Sequence, residues 1–200
     1  MTPAPAYTAV PKPVLDLLDL SGHARDVPAA GAPLAPGWLP SIITVVRALL
    51  ADADPNNAHR SYTGHGRTDL YLGTHDQDSW YLRLAADNHT APTAATDKAA
   101  VLTLTGTALL EGYANETRAE AGQPQYMREF GPESVHFVYP GTVHTAELSH
   151  DACQLVVVRG TLTVHGTVLT GDQYLDAALE AREYLAATLT TTSTASLPTT

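Results

Sequence analysis

Apolar and polar positions change their period along this chain, and each change marks an element. The run Ile42-Ile-Thr-Val-Val-Arg-Ala-Leu-Leu-Ala51 spaces its apolar residues for one face of a helix, with Ser41 as N-cap and Asp54-Pro-Asn-Asn as the stop. From residue 61 the period falls towards two. Thr68 to Gly73 and Ser79 to Ala85 read as strands joined by a turn at His75-Asp-Gln-Asp. Ala99 to Gly106 and Thr107 to Gly112 form a strand, a glycine turn and a returning strand, and the device recurs from Val156 through Gly160 to Gly166. Repeated short strands with glycine turns predict an all-β sandwich or barrel. Residues 113 to 126 are polar and read as a connecting loop. Asp172 to Ala186 returns to helical spacing, with Asp172 as cap and a stripe through Leu175, Leu179 and Leu185.

These segments divide the chain into a proline-rich, largely flexible stretch over 1–40, a barrel domain with its preceding helix over 41–168, a helix over 169–188 and a tail over 189–200. The first stretch holds one apolar piece, Val14 to Leu20. The Thr/Ser-rich tail has too little apolar area to offset its ordering entropy and is expected to be disordered.

Composition narrows the function classes. A chain of 200 residues suits one domain that buries its own core. Its 11 Lys and Arg against 21 Asp and Glu, a net charge of -10, argue against nucleic acid, because such binders gain affinity from cations that neutralise phosphates. No apolar run approaches the roughly 20 residues that span a bilayer, and Met1 to Tyr7 lacks the pattern of a signal peptide, so a cytoplasmic protein is expected. The single cysteine, Cys153, excludes an internal disulfide and reads as an inert core thiol.

The most informative segment runs from Phe130 to Gly160: a strand, a Pro140-Gly141 turn, His144 just after it, and a second apolar strand. Here the chain resembles the cupin superfamily, in which a strand leads through a Pro-x-Gly-x-x-His turn into the next strand; Gly141 and His144 fit, and Tyr139 stands where the first proline is usual. Upstream, the helix at Val45 to Ala51, Arg67, Ser79-Trp-Tyr-Leu-Arg-Leu84 and Gly106 to Glu111 are similar in layout to bacterial cysteine dioxygenase-type cupins. The resemblance covers roughly residues 40 to 165. It implies a double-stranded β-helix, or jelly roll, with flanking helices, and a turn that aims His144 into the barrel mouth.

The same resemblance would put a His-x-His metal pair near residues 92 to 95 and a glutamate near 98 to 100. Those positions read Pro92-Thr-Ala-Ala95 and Lys98-Ala-Ala100, and His89 falls too early. Iron(II) sites of this kind need about three protein ligands, so no metal cofactor is expected, with Fe(II) as the alternative. Any metal would be held by His144 with His136 or His150. The resemblance also implies an arginine for a substrate carboxylate, for which Arg67 is the candidate.

Along Val135-His136-Phe137-Val138 the alternation sends His136 to the face opposite Val135 and Phe137, so only one of the two sets lines the cavity. Trp80 and Tyr81 likewise split between core and cavity. Arg83 either faces solvent or, if inward, is paired or binds an anion, since an unpaired buried charge is very costly. The remaining histidines, His23, His59, His65, His75, His150 and His165, read as surface or loop residues. Together these features favour a metal-independent enzyme of isomerase, cyclase or dehydratase type acting on a small molecule. In it His144, with His136 or Tyr139, would move protons, and Arg83, Arg67 and Trp80 would bind the substrate; a histidine titrating near neutrality suits that role. The alternatives are an iron-dependent thiol dioxygenase-like enzyme with displaced ligands and a non-catalytic ligand-binding or dimerisation module. A homodimer through barrel edges is expected.

Overall fold

The computed structural model describes residues 32–33, 38–75, 77–86, 93–160, 162 and 166–195. Val14 to Leu20, His23, His89, His165 and most of the returning strand after Gly160 lie outside them. In chain order the elements are β1 (Ala32–Pro33), α1 (Trp38–Ala51), a 3-10 turn (Pro55–Arg60), β2 (Tyr62–Gly64), β3 (Arg67–His75), β4 (Asp78–Ala85), β5 (Thr93–Ala94), β6 (Ala99–Thr105), β7 (Ala108–Tyr113), α2 (Glu116–Glu120), β8 (Tyr126–Phe130), β9 (Ser134–Val138), β10 (Val143–Leu148), β11 (Cys153–Arg159), β12 (Thr167–Val168) and α3 (Gly171–Ala195).

Strands β4 to β11 pair as a folded-over hairpin. β4 pairs with β11, β5 with β10, β6 with β9 and β7 with β8, all antiparallel. Cross-pairing of β6 with β11 and of β7 with β10 completes two sheets, ordered β9-β6-β11-β4 and β5-β10-β7-β8. This nesting is the jelly roll, the fold of cupins. β1 extends the larger sheet at β9, and β3, β2 and β12 extend it at β4.

Both faces of the larger sheet are covered, which is why β6 reads Ala-Ala-Val-Leu-Thr-Leu-Thr and is buried throughout. Ala100, Leu102, Leu104, Leu155, Val157, Leu82, Trp80, Val135 and Phe137 face outward against Ile42, Ile43 and Val46 of α1 and Tyr174, Ala178 and Leu185 of α3. Each fully buried Ile or Leu of this layer contributes about 1.5 to 3 kcal/mol. The opposite face carries Tyr71, Tyr81, Ala99, Val101, Val156 and Val158 into the cup between the sheets.

Helix boundaries correct the sequence reading. α1 begins at Trp38 rather than after Ser41, because Pro40 falls in the first turn, where a missing N–H costs no hydrogen bond. α3 is capped by Thr170, whose Oγ1 accepts from the Gln173 N–H while the Gln173 side chain accepts from the Thr170 N–H; Asp172 lies inside the first turn. The buried stripe of α3 is Tyr174, Ala178, Ala181 and Leu185, with Leu175 and Leu179 exposed. Tyr174 sets that rotation by donating its hydroxyl to the Tyr71 carbonyl at 2.8 Å. The helix also continues to Ala195, past the boundary expected at 188. The stretch 113 to 126 holds a helical turn capped by Asn115, whose side chain accepts from the Arg118 N–H, and it delivers the chain into strand β8. Among the described residues no helix is long and apolar enough to cross a membrane.

Candidate functional site

Register builds a polar row inside the cup. Pairing of β3 with β4 sets Asp69 opposite Arg83, pairing of β4 with β11 sets Arg83 opposite Gln154, and pairing of β11 with β6 sets Gln154 opposite Thr103. Asp69 is 1 % exposed and Arg83 7 %. Arg83 Nε donates to Asp69 Oδ1 at 2.7 Å, and Arg67 Nε lies 3.2 Å from Asp69 Oδ2. One carboxylate therefore serves two guanidinium groups. Burial alone would push the Asp69 carboxyl up, but Arg83 and Arg67 together hold it below its ordinary value. Repulsion from Arg83, with burial added, lowers Arg67 to about 10 despite Asp69. The cluster carries one surplus positive charge.

Two histidines complete the site. His136 sits opposite Val101 in the β6–β9 pair and is 4 % exposed, with Nδ1 lacking a hydrogen bond. Its ring stacks on Phe130 of the facing sheet, centroids 4.3 Å apart and planes at 25°. Burial lowers it to about 3, with Arg83 and then His144 adding to the depression. His144 enters from β10, opposite Gly112 of β7 and Thr93 of β5, and its Nδ1 also has no hydrogen bond. Burial brings it to about 4; the Thr142 backbone acts upward, and Arg83 and Arg67 act downward. The turn that presents it is tied to the β5–β6 connection, with Gly141 N–H donating to Ala95 O and Ala95 N–H to Thr142 O, both at 2.8 Å. Gly141 takes φ +82°, a region that glycine enters without steric cost.

A cavity of about 60 Å³ opens onto Arg67, Arg83, His144, Thr96, Asp97 and the apolar floor of Ala99, Val101, Val138 and Val156. Ligand pockets for drug-sized molecules run to about 300 to 1,000 Å³, so this one suits a ligand of a few non-hydrogen atoms.

The structure brings His144, Arg83 and Arg67 together on this cavity, with His136 deeper in the cup. Trp80 and Tyr139, proposed from sequence for the same site, do not join them. Trp80 belongs to the helix-facing core, and its neighbour Tyr81 takes the cup face. Tyr139 follows Val135 and Phe137 to the outer side, where it packs on that core with Lys98 Nζ 5.7 Å from its ring centroid. His150 lies beyond the far end of β10 with a 96 % exposed side chain, roughly 20 Å of extended strand from His144, so the two cannot share a metal. Neither histidine of the cup titrates near neutrality, contrary to expectation, because burial and the arginines oppose the imidazolium. Cys153 is the fully buried thiol expected, pushed far up by burial. Asp69 escaped notice in the sequence. Its signal was the alternation Arg67-x-Asp69-x-Tyr71, which puts all three on one strand face.

The iron expected as the alternative can be tested against the donors. Two unpaired imidazole nitrogens are suitable ligands, but among the described residues no three His, Cys, Asp or Glu side chains gather to hold a metal. Thr93, in the stretch 92 to 95 where the resemblance would have a histidine pair, is paired directly with His144. Arg83 and Arg67 also set a positive field at the histidines, which opposes a cation as it opposes a proton. The described residues do not fit an Fe(II) site.

No protein-family profile matches the chain, and no curated protein matches it. Solved structures do. Streptomyces albus HEPD with 2-hydroxyethylphosphonate and Fe(II) bound is 14 % identical with a TM-score of 0.38, over 48 % of this chain and 22 % of that one. Escherichia coli ribosomal oxygenase YcfD is 14 % identical with a TM-score of 0.36, over 45 % and 24 %. Lactobacillus farciminis oxalate decarboxylase, as a formate complex, is 8 % identical with a TM-score of 0.41, over 56 % and 33 %. The chain thus spans well under half of each of these three. The likeness is one of fold. The jelly roll itself follows from the strand pairing above.

Proposed function

We propose that the cup binds a small organic molecule bearing a negative charge, without a metal, and that His144 and His136 contact or orient it. The observation that carries this reading is the sharing of Asp69 by Arg67 and Arg83, which gives this cluster more guanidinium donors than its one carboxylate can accept, on a cavity that His144 also lines. An oxyanion placed there satisfies the spare guanidinium donors and removes the repulsion that depresses Arg67. Burial is the largest cause of the low His144 value, and the oxyanion offsets the smaller contribution of the two arginines, a shift towards proton acceptance. Such a ring suits an isomerase- or dehydratase-type step in a metal-independent enzyme. A thiol dioxygenase-like activity has no support in the donor set.

The second reading is a binding module without catalysis. A histidine held at about 4 is a weak base, which favours this reading until a ligand raises it.

Isothermal titration with a panel of small carboxylates, sulfonates and phosphonates tests the proposal, with Arg83→Met and Arg67→Met alongside. Arg83→Met is expected to lower affinity at least tenfold, a single charge-assisted hydrogen bond being worth about 1.5 to 3 kcal/mol. Failure of every anion to bind the native protein, or full affinity in both variants, overturns it.

A further inference from the structure

Strand β8 places an unassigned polar side chain in register with His144. Tyr126, Gly112, His144 and Thr93 pair in one row across the smaller sheet, through the β7–β8, β7–β10 and β5–β10 ladders. Directly paired residues project to the same face, so Tyr126 shares the cup face with His144. Phe130, four residues on along the same strand, confirms that face by stacking on His136 inside the cup. Gly112 decides where the phenol goes. A Cβ built on Gly112 would lie 2.1 Å from Tyr126 Cζ and 2.5 Å from its Oη. The ring therefore occupies the space that any other side chain at 112 would fill, and it reaches from the edge strand β8 across β7 towards β10. Cross-strand Cβ atoms lie about 4.5 to 5.5 Å apart, which brings Tyr126 Oη to within roughly 8 Å of His144 Cβ.

We infer that Tyr126 is a specificity-determining residue of the cup: its hydroxyl, held over Gly112, joins His144 in recognising an uncharged hydroxyl or carbonyl oxygen on a ligand whose acid group sits on Arg67 and Arg83. This inference rests on the anion reading above and narrows it to hydroxy or oxo acids. Arg67 and Arg83 offer charged donors on the cavity, while the Tyr126 hydroxyl and the His144 ring share one row of the smaller sheet, so a plain alkanoate leaves that second pair without a ligand partner. A site built to hydrogen-bond an oxygen discriminates strongly against the analogue lacking it.

The test compares matched acids by calorimetry: propionate with lactate, butyrate with acetoacetate, pentanoate with levulinate. For at least one pair the oxygenated acid is expected to bind the native protein about tenfold more tightly or better than its parent. Tyr126→Phe keeps the ring and is expected to shrink that ratio about tenfold; Gly112→Ala, which displaces the phenol, is expected to shrink it likewise. A structural role for Tyr126 would change both acids of a pair alike and leave the ratio intact. Equal affinities within every pair, or an unchanged ratio in Tyr126→Phe, overturn the inference while leaving the anion reading standing. If none of the acids binds the native protein, both fall together.

Discussion

Asp69 is the residue on which the electrostatics of the cup turn. It is almost wholly buried and its two oxygens meet two guanidinium groups. Asp69→Asn removes the countercharge and leaves both arginines repelling each other in a poorly solvated place, so a loss of about 3 to 5 kcal/mol is expected by urea unfolding. Arg83→Met leaves Asp69 paired with Arg67 and is expected to cost less. The ordering of the two variants is the check, since simple loss of packing would make the larger truncation the worse. Little of this was legible in the sequence. Arg83 carried two opposite readings, solvent-facing or inward and paired, and only the register of β3 against β4 supplies the partner. Alternation gave the separation of His136 from Phe137 and of Trp80 from Tyr81, but it could not say which face lines the cup.

At the scale of elements, turn and cap chemistry makes the sharpest predictions. Gly106 closes the β6–β7 turn at φ +62°, and a Cβ there would lie 2.6 Å from the backbone of Ala152. Gly106→Ala must move backbone that cannot yield as a flexible side chain would, so a loss of at least about 1 kcal/mol is expected by thermal unfolding. Thr170→Ala removes the reciprocal cap of α3 and is expected to cost about 1 kcal/mol. Strands β3, β4, β6 and β7 were legible because their alternation is long and turn residues mark their ends. The start of α1 was hidden by Pro40, which reads as a breaker yet is harmless in a first turn. β8 was hidden because Tyr126-Met-Arg-Glu-Phe130 is an edge strand with exposed Met127, Arg128 and Glu129, and its pattern is that of a polar loop.

For the whole molecule, acid is the informative perturbation. His136 and His144 are held at about 3 and about 4, below an unfolded value of about 6.5. Between those limits the unfolded chain binds protons that the folded one refuses, so stability rises with pH there and falls as pH drops from about 6.5. Each histidine contributes a slope of up to about 1.4 kcal/mol per pH unit. Asp69, whose folded value is depressed, adds stability that is present above the ordinary carboxylate range and lost at still lower pH. Urea midpoints measured across this window are expected to fall steadily, and His136→Gln is expected to flatten the curve by about one proton. An unchanged slope in that variant would mean that the ring is protonated in the folded protein. The principal core, between the two long helices and the outer face of the larger sheet, stands apart from this chemistry. The helix-facing core lies on one side of the sheet and the polar cup on the other, so an exchange of cup groups that keeps every buried charge paired leaves that core untouched. A pocket of this construction is open to redesign wherever a substitution respects the pairing of Asp69 with its two arginines.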